Sequence, residues 1–423
     1  MRTVSKTVIG VDFGTQSARA VLVNAENGEI IYSCRKEYPY NSTPVPAIDC
    51  AENLPCATDY EMTLYELLRN VIPEEYRKTV AGICVDATSL TMVLLAEDGR
   101  ALSELDGWSE AAHARVKLWK YHRAQEKADE ALNLARNLQE PFLGRTGGSI
   151  SCEWMLPKLL EVRDEAPEIY SKIDLAMDLC EFLTFRLTGQ LVRSIGSLSY
   201  KCLWAEDLSF PERTFLNGLR AGFYEEYCHF LRGDVRKLGE CAGVLRSELT
   251  KRWGLPEQIP VATGMLDGHT SLATMGAFEP GDAALIVGTS NVCTVQDRKL
   301  QELKDVCGVA QDGMVTGSCG IDTGQSSTGN MLGWVVEHMA GWQIHREAEE
   351  RKISPHQVLA ERIQKPWENK VIAVDWWSGS RNAPCDLTLR GSMSGLEMDT
   401  KTEDIYLALL QAIACGTGTI LES

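Results

Sequence analysis

Two short turns in this sequence have the residue types and spacing needed to hold phosphate. The first follows a buried-looking strand and reads Asp12-Phe-Gly14-Thr15-Gln16-Ser17; the second reads Gly288-Thr289-Ser290. A glycine without Cβ lets an anion approach the backbone, and successive N–H groups in such a turn point at one place. The hydroxyls of Thr15 and Ser17 add donors. Asp12, at the end of its strand, is positioned to hold a hydrated Mg²⁺ that neutralises a polyphosphate. The competing reading is two tight hairpins whose hydroxyls satisfy only their own turns. One turn in each half of the chain favours a phosphate cleft. A Walker-type G-x-x-x-x-G-K-[ST] run is missing, and Gly416-x-Gly418 lies in a helical run rather than after a strand, so a dinucleotide enzyme is not indicated.

Asp267, in GMLDGHTSLATMG, follows a strand and a glycine turn where a small-residue helix begins. An acid there can serve as a plain N-cap, or as the general base that takes the proton of a sugar hydroxyl during phosphoryl transfer. His269 reads as ordinary packing, since no other ligand side chain is spaced to join it in a metal site. Lys201, in SLSYKCLW, sits in an apolar stretch and needs either a buried partner or a path to water. Asp322 lies among glycines and hydroxyl residues, suited to ligand contact or to a turn. Trp376-Trp377 and the LWKYH segment (118–122) read as core aromatics before sugar platforms.

The elements that position these groups alternate between strand and helix. Strands are expected over 8–11, 18–23 and 30–34, with Asn27-Gly28 as a hairpin turn. A helix is expected from about Tyr60 to Pro73. After it, AGICVDATSLTMVLLAEDG repeats the pattern of strand, polar break (Asp86-Ala87-Thr88-Ser89) and strand. A helix near Ser151 would carry Glu153 in its first turn, and LCEFLTFRLTG should stop at Gly189. From about 258 the same grammar restarts, so residues 1–257 and 258–423 are expected as two α/β domains packed over a hinge. GTQSARAVL (14–22) and GTSNVCTVQ (288–296) look like related turn-and-return units, one per domain.

Composition limits the alternatives. The 423 residues are 44% apolar and 24% charged, with 59 acidic against 42 basic side chains and a net charge of −17. Such a surface repels phosphate backbones and anionic lipid, so neither nucleic acid nor membrane is an expected partner. The longest apolar runs look too short for a membrane span, and the N-terminus lacks a signal-peptide core. Fourteen cysteines, never in a C-x-x-C pair, read as reduced thiols of a cytoplasmic protein.

Strings along nearly the whole chain, among them VDFGTQSARAVLVNAENGEI, VKLWKYH, SCEWMLPK, SYKCLW, VATGMLDGHTS, VGTSNVCTV and DWWSGSR, resemble the FGGY carbohydrate kinases, and within them the ribulokinase branch. The resemblance implies two actin/hexokinase-like (ribonuclease-H-like) domains with mixed sheets flanked by helices, closing over a cleft. It implies ATP and Mg²⁺, a sugar as the other small-molecule partner, and transfer to O5 of L-ribulose in arabinose catabolism; it leaves a homodimer open. On it, Asp267 is the catalytic base, and Asp12 with Gly14, Thr15, Gln16 and Ser17 forms one ATP-phosphate loop. Gly288, Thr289 and Ser290 form the other. Ser89, Lys201, Asp267 and Asp322 meet the sugar, and Asp12 and Asp267 hold Mg²⁺ through water. Asp322 replaces the family's usual Glu and Ser89 its frequent Ala, which keeps another pentulose or polyol in play. The chain stops at GTGTILES, before a glycine-rich segment that the family uses for adenosine. The second domain is therefore expected to be incomplete, with an inactive sugar-binding remnant as a further alternative.

Overall fold

Alternation in TVIGVDF sends Thr7, Ile9, Val11 and Phe13 to one face of strand β1 (Thr7–Phe13), where all four are buried. The computed structural model describes residues 5–38, 54–364, 366–381, 386 and 388–422. β1 forms an antiparallel ribbon with β2 (Ser17–Asn24) and β3 (Ile30–Glu37). Gly28 takes φ 74° in the turn between β2 and β3, a conformation its neighbours would resist. On its other side β1 runs parallel to β4 (Val80–Ala87). Helix Ala57–Val71 crosses over between β3 and β4 and ends just before Pro73. It buries Tyr60, Leu64, Leu67, Leu68 and Val71 in the first core, each worth roughly 1.5–3 kcal/mol as a fully buried apolar side chain.

β5 (Met92–Leu95) pairs with β6 (Leu175–Asp178), and β7 (Val192–Ser194) with β8 (Asp234–Arg236). Asp178 then caps helix Leu179–Thr188 by accepting from the Leu179 N–H, with Glu181 completing a capping box. Gly189, at φ 71°, stops that helix where the sequence indicated. The helix expected near Ser151 begins later, at Met155, so Glu153 stands in the turn before it. β9 (Cys241–Val244), β10 (Pro260–Ala262) and β11 (Met265–Leu266) extend the first sheet, ordered β3-β2-β1-β4-β10-β9, with β11 also on β4. The sheet of the first half therefore runs past residue 258, to Leu266.

The second half is built on an antiparallel sheet ordered β12-β13-β15-β14: β12 (Ala283–Val287), β13 (Asn291–Asp297), β14 (Gly308–Gln311) and β15 (Cys319–Gln325). A separate core gathers Met331, Val335, Ile344, Val358, Leu359, Ile405 and Leu409 from four helices. One of these, Thr402–Glu422, is long and apolar enough to cross a membrane, contrary to the expectation that the apolar runs are too short. Here Ile405, Tyr406 and Leu409 pack it into the protein core. The cysteines among the described residues are free thiols.

Candidate active site

Sheet register brings the acids together. The parallel pairing of β1 and β4 sets Asp12 opposite Asp86, and that of β11 and β4 sets Met265 opposite Asp86. Two residues after Met265 the chain reaches Asp267, the first residue of helix Asp267–Met275. Three strands thus deliver three carboxylates to one edge, at the carboxyl ends where open α/β sheets bind ligands. Leu266, not Asp267, occupies the cap position. The Asp267 Oδ1 accepts from the Gly268 N–H at 2.7 Å, and the Ser89 N–H also donates to this carboxylate.

Burial pushes the Asp267 carboxyl up to about 6; the Asp12 charge adds to the rise, while the two N–H groups and Lys201 oppose it. Asp86 rises further, to about 8, through burial, a hydrogen bond and charge repulsion from Asp12, and the Asp267 charge. Arg19, 3.2 Å from Asp12, offsets part of this repulsion. The sequence reading passed over Asp86, although it ends an apolar strand as Asp12 does. This knot of hard oxygen donors fits a divalent cation. Among the described residues no three acidic, His or Cys side chains converge to hold a metal ion directly.

Each turn is closed by its glycine N–H, over four residues in the first and three in the second. In the first, the Gly14 N–H donates to the Ser17 carbonyl at 3.2 Å; in the second, Gly288 donates to Ser290 at 3.1 Å. Thr15 Oγ1 accepts from the Trp119 indole (3.2 Å) and Ser17 Oγ from Arg35 (3.0 Å). Both hydroxyls are used by the fold as acceptors, which leaves their O–H hydrogens to donate. Gln16, Gly288 and Thr289 are exposed. Gly268, the neighbour of Asp267, lies against Val292, two residues past Ser290.

Across the seam between the halves, Lys201 Nζ donates to Asp322 Oδ2 at 3.0 Å, with both side chains buried. His269 Nε2 lies 3.6 Å from the same oxygen and stacks edge-on against Tyr200 at 4.7 Å. Burial alone would raise Asp322, but Lys201 and His269 hold it well below the usual carboxylate range. Lys201 is therefore no snorkelling lysine, and His269, read from sequence as plain packing, also faces this carboxylate.

Ser89 follows β4 in a loop whose next residue, Leu90, has φ 64°. That loop is pinned: the Leu90 N–H donates to Asp178, and Lys158 Nζ donates to the carbonyls of Leu90 (2.6 Å), Leu118 (2.9 Å) and Lys117 (3.3 Å). The Ser89 hydroxyl is buried without a partner. Sequence reasoning also missed Lys158, whose signal is a charge inside the apolar run MLPKLLEV. It missed the clamp in which Glu153 accepts from Arg381 of the second half at 2.7 Å and meets His122 at 3.0 Å. Trp377 is half-buried and packs edge-on against the exposed Trp334.

Two halves, each with a glycine-hydroxyl turn between antiparallel strands, make up the two-domain actin-like kinase fold. The chain belongs to the FGGY family of carbohydrate kinases: its N-terminal domain matches residues 7–274 and its C-terminal domain residues 283–423. Curated relatives include the ribulokinases of Halalkalibacterium halodurans (33% identical) and Mycolicibacterium smegmatis (36%), each aligned over 99% of this chain and 76% of its own length. Among solved structures, Plasmodium falciparum glycerol kinase with ADP superposes with TM-score 0.76 at 16% identity, covering 99% of this chain and 78% of that one. Xylulose kinase from Rhodospirillum rubrum does so with TM-score 0.73 at 20% identity, with the same coverage. At such identities these structures speak for the fold alone.

Proposed function

We propose that the chain phosphorylates L-ribulose at O5 with ATP, giving L-ribulose 5-phosphate and ADP in arabinose breakdown. The identity to curated ribulokinases supports the substrate. The observation that carries the chemistry is Asp267, a carboxyl raised to about 6 and set between the Asp12–Asp86 pair and the Lys201–Asp322 pair. At neutral pH it is ionised yet basic enough to accept a proton.

In this reading Lys201 and Asp322 orient the sugar, with Ser89 beside it. Asp267 takes the O5 proton as the O5 lone pair forms the bond to the γ-phosphorus. The bond from that phosphorus to the bridging oxygen breaks, and ADP leaves with the electron pair. Backbone N–H groups and hydroxyls of residues 14–17 and 288–290 hold the phosphates, and closure of the halves keeps water from the base. Asp12 and Asp86, with Asp267 nearby, would hold Mg²⁺ through water, and that ion supplies neutralisation of phosphate charge. Free thiols suit a cytoplasmic setting.

An ADP-release assay over a ketopentose panel tests the proposal. L-ribulose should give the highest kcat/KM, and Asp267→Ala should lower kcat by about 10²–10⁴-fold. Turnover that survives Asp267→Ala, or no turnover with any ketopentose, overturns it. The partnerless Ser89 hydroxyl favours one second reading, a pentulose with a differently placed hydroxyl, which the same panel would reveal.

A further inference from the structure

A cavity of about 480 Å³ opens at the seam between the halves, away from the acids described above. Ser199 and Leu203 line it, whereas Lys201 between them turns to Asp322; neither Asp12, Asp267 nor Asp322 reaches it. The second half contributes Val309, Ala310 and Gln311 of β14. Its walls are mostly apolar and aromatic, with Phe142, Trp204 and Phe210, and its charge is acidic, from Glu140, Glu206 and Glu212. The cation lining it, Arg145, is committed to Asp207 by two hydrogen bonds of 2.9 and 2.8 Å.

Glu140 is the feature that asks for a ligand. It is 5% exposed, and one of its carboxyl oxygens has no hydrogen-bond partner; the hydroxyl of Thr146, equally buried, also lacks one. Burial and the neighbouring Glu212 raise the Glu140 carboxyl to about 6, so it carries charge at neutral pH. A buried carboxylate with an open acceptor is costly until a donor reaches it, and a charged donor serves best. Aromatic faces favour the same sign of charge. An anion would meet three carboxylates and a guanidinium that is already paired.

We propose that this cavity binds a small organic cation, a primary ammonium on an apolar body, with the ammonium donating to Glu140 and the body lying against Phe142, Trp204 and Phe210.

The test is calorimetric titration of the whole chain with 2-phenylethylammonium, 2-phenylethanol and phenylacetate, three probes of one shape and different charge. The ammonium should bind at one site at least about tenfold more tightly than the alcohol, the worth of one charge-assisted hydrogen bond, with phenylacetate weakest. Glu140→Gln should shrink that preference to about twofold. Leu203→Trp, which fills the cavity, should abolish ammonium binding. Equal binding of ammonium and alcohol, no binding of the ammonium, full preference in Glu140→Gln, or unchanged binding in Leu203→Trp would each overturn the proposal. The wild-type comparison decides even where a variant fails to fold.

Discussion

Replacing Lys201 by Met keeps the length of the side chain and removes its ammonium, which strands Asp322. That carboxylate is buried; His269 at 3.6 Å remains beside it, and Arg381 still acts on it by charge. Breaking a buried pair by deleting one partner costs about 3–5 kcal/mol when the survivor must stay charged. Protonation of Asp322 relieves that cost, so the loss should depend on pH. In the wild type Asp322 is held low, and its contribution is present above the ordinary carboxylate pKa and fades only in acid. In Lys201→Met burial is no longer opposed by the ammonium, the folded-state pKa climbs, and stability falls as pH rises through it. Urea denaturation should therefore show a larger destabilisation at pH 8 than at pH 5. Adding Asp322→Leu removes the stranded acid and should recover most of the stability at pH 8. Sugar binding should not recover, because a hydrogen bond from a charged donor is worth about 1.5–3 kcal/mol, or about 10- to 150-fold in the KM for L-ribulose. A destabilisation that does not vary with pH would refute the electrostatic argument. A KM within about twofold of wild type would refute the placement of the sugar.

Three further outcomes follow from the acids and the pinned loop. Because Asp267 must be ionised to act and titrates near 6, kcat/KM should fall as pH drops below about 6, a loss read from the acid limb of a pH–rate profile. Asp86, at about 8, binds its proton more readily folded than unfolded, so wild-type stability declines as pH rises from about 4 towards 8. Asp86→Asn should lack that decline, gaining at least about 1 kcal/mol relative to wild type at pH 9, and added MgCl₂ should raise its Tm less than it raises that of the wild type. Lys158→Met strips a donor from three buried carbonyls, so urea denaturation should report a loss of about 3 kcal/mol or more. An unchanged midpoint would show that the loop before Met92 does not depend on it.

Much of the architecture was legible because it rests on local rules. Period-two burial in β1, Asn27-Gly28 between β2 and β3, and Gly189 after helix Leu179–Thr188 are each written in a few adjacent residues. What stayed hidden depends on contacts between distant segments. Asp86 becomes an acid of interest only because register sets it opposite Asp12, and no local pattern states that register. Glu153 sits before its helix rather than in its first turn, where Arg381, 228 residues away, and His122 hold its carboxylate. The sheet of the first half runs beyond 258 because the strand read before Asp267 pairs with β4, a partner that no local pattern states.

Tyr200 ties the two halves together at their seam. Its ring is fully buried, its hydroxyl donates to the Gly320 carbonyl at 2.7 Å, and a methyl group on Gly308 or Gly313 would collide with the ring, as one on Gly320 would with the hydroxyl. A side chain socketed in bare backbone of the second half leaves little slack, so it fixes where helix Ile195–Lys201 sits and keeps Lys201, the very next residue, against Asp322.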